Sequence, residues 1–320
     1  MIRYCDCCDK IQFVIVALKN LTDRKITSDK KYDIITCTVC SHSFIDPMPS
    51  GEELKNFYPK NYYAHTTFIY TASIKKKLKN CLIRFWYGQF SDNNFIRLIQ
   101  KQFYSLLKHK INEPPFLPGG KYLDVGCGSG EYLNMIRRFG WEIYGIDFNE
   151  DAVRIATNFG LNVKRGSAEK IEYENGYFDV VRVWNVLEHT VSPRKAIFEI
   201  SRVLKRGGYL IIYVPNFNSV NRKYFSKYWS SLEIPRHCHH FSIKSLESYL
   251  NQAGLVINKR LYSGTLFSTI IPTIKIMINE RVSIFFILYK AIASVIKKCF
   301  NRLKKNYSEE VGICVLAYKK

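Results

Sequence analysis

The chain has 320 residues, of which 47% are hydrophobic and 15% aromatic, and it carries a formal net charge of +21. This length allows one full α/β core with small appendages, and the apolar content excludes a disordered chain. The charge favours an anionic partner, either nucleic acid, an acidic membrane surface or a phosphate-bearing substrate; a surface that only aids solubility is the alternative. No apolar h-region follows Met1, so we expect a cytoplasmic protein.

The stretch 1–48 contains two Cys-x-x-Cys pairs, Cys5/Cys8 and Cys37/Cys40, separated by two apolar stretches of strand length. In a reducing compartment, ten cysteines are better explained by a metal site plus buried thiols than by disulfides. Four thiolates in two such pairs can hold a tetrahedral zinc ion, with no position left open for chemistry. We predict a structural zinc-binding knuckle over 1–48. Cys7 is an alternative to Cys8, His42 is a rival for the fourth position, and unliganded thiols are the alternative to zinc.

A helical and basic segment is predicted over 49–117, ending in the Pro- and Gly-rich linker 113–120. After it, near-continuous apolar runs alternate with amphipathic helices, a pattern that predicts a parallel sheet covered on both faces. The apolar runs lie at 121–125, 142–146, 162–163, 180–184 and 209–214, with later strands at 255–261 and 312–318. Residues 263–309 are predicted to form a basic amphipathic helical insertion before the last strand, which leaves 118–262 and 310–320 as the core. No apolar run is long enough to predict a membrane span.

A strand runs into a glycine-rich loop at Gly126, Gly128 and Gly130, and a helix follows. Glycines there allow a tight turn and a close approach to a ligand. Such a loop alone is weak evidence, because dinucleotide-binding folds use a similar one. Asp124 discriminates, since its carboxylate would repel a pyrophosphate but would tolerate a sulfonium with an α-amino group. The spacing G-x-G-x-G also differs from the dinucleotide pattern.

Further motifs follow in a fixed order: Asp147 ends the second strand, 166–169 follows the third, 178–189 forms the fourth and its loop, and 202–208 turns into the fifth. This order, over about 117–261, resembles the class I S-adenosylmethionine (SAM)-dependent methyltransferase family. The resemblance implies a Rossmann-like seven-stranded α/β sheet and SAM as cofactor. It also implies these cofactor-binding residues: Asp124, Gly126, Cys127, Gly128 and Gly130 around the methionine moiety, Asp147 at the ribose, Phe148, Ala168 and Glu169 at the adenine, and Asn185 at the methyl pocket.

The knuckle, the segment 56–63 and the core together resemble bacterial sugar methyltransferases of polysaccharide biosynthesis. Segment 235–242 resembles the place where members that methylate sugar carbons carry a Glu-His pair, with the histidine as base. His237 matches that histidine, whereas Arg236 replaces the glutamate and the large C-terminal domain of those enzymes is missing, so O-methylation is preferred. His237 is the first candidate for the base and His189 the second, and Tyr62 or Tyr63 is expected to close over the cofactor.

Two basic, aromatic-rich segments, 71–110 and 263–309, flank the core. Basic amphipathic helices can lie in the headgroup region of an acidic bilayer. The hypothesis is therefore a peripheral enzyme at the inner membrane surface that acts on a lipid-linked glycan; ordinary helix packing with a solvated charged face is the alternative. An RNA methyltransferase and a non-catalytic SAM-binding partner protein are the remaining alternatives.

Overall fold

The chain folds around two β-sheets, seen in a computed structural model that describes residues 1–24, 30–58, 74–107, 112–261, 267–303 and 309–320. The smaller, N-terminal sheet has the strand order β1-β2-β3-β4-β10 and is antiparallel. Its strands are β1 (Ile2–Cys5), β2 (Lys10–Leu21), β3 (Tyr32–Cys37), β4 (Ser43–Asp46) and β10 (His239–His240). The fifth strand thus comes from a distant part of the sequence, and it ties the N-terminal sheet to the rest of the molecule.

The larger sheet has seven strands in the order β11-β12-β9-β8-β5-β6-β7. They are β5 (Lys121–Val125), β6 (Glu142–Asp147), β7 (Val163–Arg165), β8 (Phe178–Trp184), β9 (Leu204–Pro215), β11 (Leu255–Arg260) and β12 (Gly312–Lys319). Strands β5 to β9 are parallel, and β12 runs antiparallel to both β9 and β11. The predicted seven-stranded Rossmann-like sheet is confirmed.

Helices cover both faces of the large sheet, as its apolar strands require. Those in close contact with its strands include α4 (Glu131–Ile136), α5 (Glu150–Asn158), α6 (Pro193–Val203) and α8 (Ile243–Gln252). The other helices before the insertion are α1 (Gly51–Asn56), α2 (Ile74–Trp86), α3 (Asn94–Leu107) and α7 (Val220–Phe225). Side-chain caps fix several of the starts: Asn149 accepts from Ala152 N before α5, and Ser192 accepts from Lys195 N before α6. Such caps satisfy backbone N–H groups that have no partner within the helix.

The predicted helical insertion between β11 and β12 consists of α9 (Phe267–Asn279) and α10 (Ile284–Leu303). Among the described residues, no helix is long and apolar enough to cross a membrane. Lys298 departs from the expected solvated basic face, because it is buried and pairs with Glu310 at 3.0 Å. Cys299, one of the thiols outside the predicted metal site and therefore expected to be buried, is exposed.

Strand β9 begins at Leu204, earlier than the predicted start at 209. The difference has a packing cause: Leu204 is fully buried and pairs with Phe178 of β8, so the segment predicted as a turn is extended and belongs to the sheet.

Candidate active site

The glycine loop lies at the carboxyl ends of β5 and β6 and is held by main-chain hydrogen bonds. The N–H groups of Gly126 and Cys127 donate to the carbonyl of Ile146 at 2.8 and 3.1 Å. Gly126 and Gly130 have φ of 70° and 84°, a region that disfavours side chains. A Cβ at Gly126 would lie 2.3 Å from Cγ2 of Val186, in the loop after β8. The glycine therefore lets two loops of the site meet.

Asp147 is held rigidly at the mouth of this loop. Its Oδ2 accepts from the N–H of Gly128 at 2.8 Å and its Oδ1 accepts from the N–H of Asn149 at 2.9 Å. Next to it, the exposed ring of Phe148 lies 5.3 Å from the ring of Tyr58. The carboxylate and the ring thus stand side by side where the resemblance places the ribose and the adenine.

Asp124 is buried and forms a salt bridge of 2.9 Å with Arg182 on β8. Burial raises the pKa of the Asp124 carboxyl, and the guanidinium beside it draws that pKa back down. The guanidinium also stacks on the ring of Tyr132, 3.8 Å from its centroid. A cavity of about 270 Å³ adjoins this group, between α2, α4 and β8, with Trp184 in its wall. Sequence reasoning missed Arg182, although its place in an apolar strand beside Asp124 was a signal.

Three of the remaining expected cofactor residues occupy different environments. The Cys127 side chain lies in the hydrophobic core with Leu133 and Ile136, so only its main chain faces the loop. Ala168 is buried, and the carboxylate of Glu169 accepts from the N–H of Val191 at 3.0 Å, which ties two loops together.

Asn185 ends β8 in a left-handed conformation, with φ of 54°. Its N–H donates to the carbonyl of Tyr213 at 3.0 Å, and its side chain is exposed. Strained backbone of this kind clusters at functional sites, because surrounding structure must hold it in place. The resemblance places this residue at the methyl pocket, and we refer to the loops beyond it, after β8 and β9, as the acceptor side of the site.

Two histidines meet on that acceptor side. The rings of His189 and His237 lie 4.5 Å apart, edge to face. His237 Nδ1 lies 2.9 Å from the carbonyl of Ser231; because a carbonyl only accepts, Nδ1 donates and the neutral ring carries its lone pair on Nε2. His189 Nδ1 lies 2.8 Å from the hydroxyl of Tyr58 and 3.2 Å from the carbonyl of Arg236. The two candidate bases are thus brought together from distant segments.

Glu188 lies beside the two histidines and is 1% exposed. Neither of its carboxylate oxygens has a hydrogen-bond partner among the described residues. Burial raises the pKa of this carboxyl to about 8. A ligand atom of Glu188 and one from each of His189 and His237 all lie within 4.8 Å of one another. Sequence reasoning gave Glu188 no role, although a Glu-His dipeptide directly after a buried strand was the available signal.

Arg236 stands where related carbon methyltransferases were expected to have glutamate, and its surroundings explain the difference. Its guanidinium forms two hydrogen bonds to Asp23, at 2.9 and 3.1 Å, and another to the carbonyl of Phe57 at 3.2 Å. Both members of the pair are 1% exposed on their side chains. Arg236 therefore fastens the segment before His237 to the N-terminal part of the chain.

The neighbouring histidines have structural partners. His239 Nδ1 lies 2.9 Å from His42 Nε2, and His239 Nε2 lies 3.1 Å from the carbonyl of Val191. Burial lowers the pKa of both His42 and His239, so each is favoured in the neutral form. Nε2 of His42 is thereby engaged by His239, and His42 is not part of the cluster formed by the four cysteines.

The four predicted cysteine ligands form one cluster. The sulfur atoms of Cys5 and Cys40 lie 3.6 Å apart and those of Cys8 and Cys37 lie 3.8 Å apart, and all four are within 4.8 Å of one another. A tetrahedral zinc with Zn–S bonds of 2.3 Å separates its sulfurs by about 3.8 Å, whereas a disulfide would hold them about 2.05 Å apart. Cys7 instead points at the carbonyl of Ser245, at 3.9 Å. The donor set fits zinc.

Asp6 anchors this cluster to the core. Its carboxylate accepts from the hydroxyls of Ser192 and Tyr249, at 2.6 and 3.0 Å, and from the N–H of Arg194 at 2.8 Å. The loop that contains Cys5, Asp6 and Cys8 is therefore fixed to the start of α6 and to α8. Of the remaining predictions, Tyr62 and Tyr63 lie outside the described residues.

The seven-stranded sheet, the glycine loop and the acid at the end of β6 together define a class I SAM-dependent methyltransferase. The chain belongs to the methyltransferase domain family, which matches residues 95–259.

Similar proteins differ in how much of them the chain spans. It is 27% identical over 194 residues to an uncharacterized protein of Methanocaldococcus jannaschii, covering 61% of this chain and 88% of that protein. It is 35% identical over 119 residues to the ubiquinone biosynthesis O-methyltransferase of Hahella chejuensis, covering 35% of this chain and 48% of the relative. The chain thus spans about half the length of this curated enzyme. Among solved structures, the complex between the Haloferax volcanii Trm112 methyltransferase activator and a putative methyltransferase matches with 18% identity and a TM-score of 0.49, covering 69% of this chain and 91% of that one.

Proposed function

We propose that this methyltransferase transfers the methyl group of SAM to a hydroxyl oxygen of a sugar, either free or in a lipid-linked glycan of polysaccharide biosynthesis, with His237 as the general base. The observation that carries the proposal is the pairing of His189 and His237 beside the end of β8. The O-methyltransferase activity named for the ubiquinone relatives is consistent with an oxygen acceptor. The sugar assignment rests on the resemblance of segments 56–63 and 235–242.

The reaction needs alignment and removal of one proton, because the cofactor supplies an activated methyl group. Asp147 would hold the ribose hydroxyls, Phe148 and Ala168 would flank the adenine, and Asn185 would border the methyl group. The hydroxyl proton passes to Nε2 of His237 as the oxygen attacks the methyl carbon. The carbon–sulfur bond breaks and its electron pair stays on sulfur. The carbonyl of Ser231 keeps the lone pair on Nε2 by accepting from Nδ1.

The test is transfer of labelled methyl from SAM into host material separated into organic-soluble lipid-linked glycans, soluble nucleotide sugars and RNA. Label in either glycan pool supports the proposal. Label in RNA alone would reassign the enzyme as an RNA methyltransferase, and cofactor binding with no transfer into any pool would indicate a non-catalytic partner protein.

The role of the base is tested by His237→Gln. General-base loss lowers the turnover number by about 10²–10⁴-fold, with the dissociation constant of SAM unchanged. His240→Gln is the matched control, because it changes a neighbouring buried histidine that packs on Phe217. Equal loss of activity in both variants, with equal loss of stability, would contradict a specific role for His237.

We also propose that Cys5, Cys8, Cys37 and Cys40 hold one structural zinc ion. The sulfur separations support it, since they match the edges of a zinc tetrahedron. The burial of three of the four cysteines supports a structural role rather than a catalytic one. Metal analysis of the purified chain tests the proposal, with one zinc per chain expected and none contradicting it.

The membrane hypothesis is supported by one face of α10. Phe285, which is 82% exposed, continues into exposed Tyr289, Ile292 and Ile296 at helical spacing, and Lys290 lies 5.0 Å from the ring of Phe286. We propose that this face inserts into the headgroup region of an acidic bilayer. Flotation with anionic liposomes tests this. Ile292→Glu is expected to abolish flotation at low salt, whereas Val39→Glu, which places the same charge at another exposed apolar position, retains it. Flotation lost equally in both variants, or absent in the native chain, removes the proposal.

A further inference from the structure

A second cluster of metal-ligand side chains lies on the acceptor side of the site, apart from the four cysteines. It consists of Glu188, His189 and His237, and one ligand atom from each lies within 4.8 Å of the other two. Two histidines and one carboxylate form the protein part of many catalytic zinc sites and of non-haem iron sites, in which the remaining positions stay open for substrate.

The carboxylate of Glu188 supplies the independent observation. The residue is 1% exposed, and neither of its oxygens has a hydrogen-bond partner within the described part of the chain. Leaving a buried carboxylate unsatisfied is costly, because its desolvation is not offset. A cation between Glu188 and the two imidazoles would satisfy both oxygens.

In both histidines, Nδ1 lies within hydrogen-bond distance of protein groups, as one ring nitrogen usually does in metal-bound histidines. His237 donates from Nδ1 to the carbonyl of Ser231, which leaves the lone pair on Nε2. His189 has its Nδ1 beside the hydroxyl of Tyr58 and the carbonyl of Arg236. Hydrogen bonds of this kind fix the tautomer and the ring orientation of metal-bound histidines. Ligands of one zinc ion lie about 3.4 Å apart, and the three ligand atoms here lie within 4.8 Å of one another.

We propose that Glu188, His189 and His237 bind a divalent transition-metal ion that holds the acceptor hydroxyl and lowers its pKa. The catalytic role rests on the proposed O-methylation and would replace one part of it: with the ion bound, His237 would be a ligand, and the ion would lower the pKa of the hydroxyl in place of proton acceptance by the free imidazole. The proton leaves to bulk water, the oxygen attacks the methyl carbon, and the sulfur keeps the electron pair of the broken bond. Nε2 of His237 cannot both accept a proton and bind a metal ion. Removal of the ion should therefore abolish methyl transfer if the metal activates the hydroxyl, and should leave it intact if His237 is the general base.

Cobalt(II) titration of the full chain, with its cysteine cluster already filled by zinc, tests the binding. The expected result is one further equivalent of cobalt with weak d–d absorption and no intense thiolate-to-cobalt charge-transfer band. Glu188→Gln and His237→Gln are each expected to weaken this binding at least about tenfold. Glu174→Gln, which changes an exposed acid away from the cluster, is the matched control. Far-ultraviolet circular dichroism and SAM affinity report whether each variant is folded.

Absence of a second equivalent, or a second equivalent that Glu188→Gln leaves intact, would overturn the inference. Failure of the metal inference can be distinguished from failure of the proposed function, because cobalt binding is measured without any methyl acceptor. A further outcome is that methyl transfer to a glycan persists after every ion outside the cysteine cluster has been removed. In that case His237 acts as a free base and the metal has no catalytic role. Cobalt binding that responds to both variants supports the site, whichever acceptor is found.

Discussion

The two halves of the site are built in different ways. The cofactor half, with Asp124, the glycine loop and Asp147, comes from one continuous βαβ stretch whose geometry is set by parallel pairing of β5 and β6. The acceptor half gathers Tyr58, His189 and His237 from three distant segments. The difference shows that the cofactor half belongs to the sheet itself, whereas the acceptor half depends on how the N-terminal sheet is fastened to it.

That fastening has three parts. Asp6 is held by the start of α6 and by α8, Arg236 pairs with Asp23, and β10 completes the N-terminal sheet beside β4. Each part connects a residue of the first fifty to the loops that contain the histidines. Loss of the N-terminal sheet should therefore disable the acceptor half first.

The largest expected effect follows from Cys37→Ser. Binding of a structural zinc contributes about 10–16 kcal/mol to folding in small zinc domains, so we expect loss of the ion and unfolding of the N-terminal sheet. SAM affinity should stay within about threefold of the native value, because the hydrogen bonds that hold the glycine loop and Asp147 come from the large sheet and its loops, while methyl transfer is abolished. Calorimetric titration with SAM and a transfer assay measure the two. Cys7→Ser, whose sulfur is outside the tetrahedron, is the control and should retain both. If Cys37→Ser lost SAM binding together with methyl transfer, the cofactor half would not be independent of the N-terminal sheet.

The next effect in size concerns the buried pair of Arg236 and Asp23. Removing one partner leaves a buried charge uncompensated, so Arg236→Met should lower the free energy of unfolding by about 3–5 kcal/mol. The double variant Arg236→Met with Asp23→Leu should recover most of that loss. Urea denaturation of the two single variants and the double variant forms a closed thermodynamic cycle. If the loss of unfolding free energy in the double variant equals the sum of the losses in the two single variants, the pair does not fasten the N-terminal part of the chain to the segment before His237.

A smaller effect is expected for Gly126→Ala, which tests whether the halves also touch directly. A left-handed alanine costs about 1–2 kcal/mol, and its Cβ would collide with Val186 of the acceptor-side loop. We expect SAM affinity to fall at least about tenfold, with a further fall in turnover. Gly160→Ala is the matched control, because Gly160 has φ of 68° but open space where a Cβ would lie. Its SAM affinity should match that of the native chain, and equal defects in both variants would assign the effect to backbone strain alone.

The smallest expected effect is a change in how the free energy of unfolding depends on pH, caused by a buried carboxyl beside the cofactor half. Burial raises the pKa of Glu113, which accepts a hydrogen bond from Tyr132, whereas an unfolded glutamate ionises near pH 4.3. The stability that protonated Glu113 contributes to the folded state is fully present below the pKa of the unfolded glutamate. It is lost as the pH rises through the higher pKa that Glu113 has in the folded state. Glu113→Gln should therefore gain stability relative to the native chain as the pH rises from about 4, by up to about 1.4 kcal/mol per unit of pKa difference. Urea denaturation across this range measures it, and exposed Glu174→Gln should show no such trend. A flat difference for Glu113→Gln would mean that this carboxyl is not held neutral.

The sequence was sufficient to predict the cofactor half because its signals are local. An acidic strand, three glycines and a following helix specify one backbone geometry, and Asp147 follows at the end of the next strand. The cysteine cluster was also predictable, since ligand spacing is a local feature, although the choice between Cys7 and Cys8 needed the geometry. The structure places Cys8, and not Cys7, in the cluster of four cysteines.

The acceptor half could not be predicted in the same way. Strand β10 has two residues, too few to show any periodicity, and it pairs with β4 about two hundred residues earlier in the sequence. The contact of His42 with His239 and the pair of Arg236 with Asp23 join positions about two hundred residues apart. Such contacts are decided by packing of whole elements, which no local pattern encodes. Arg182 is a different case: a charged residue in an apolar strand was a local signal, and only its partner, Asp124 on the neighbouring strand, depended on the packing.

Strand β12 affects how the molecule forms during its synthesis. It lies inside the sheet, between β9 and β11, yet it leaves the ribosome only after the whole helical insertion of α9 and α10. Until then, β11 has no strand partner and β9 exposes one complete edge of backbone N–H and C=O groups. Open edges of this kind invite pairing with other chains. The nascent chain therefore passes through an interval in which these edges are open to pairing with other chains, and a longer insertion lengthens that interval.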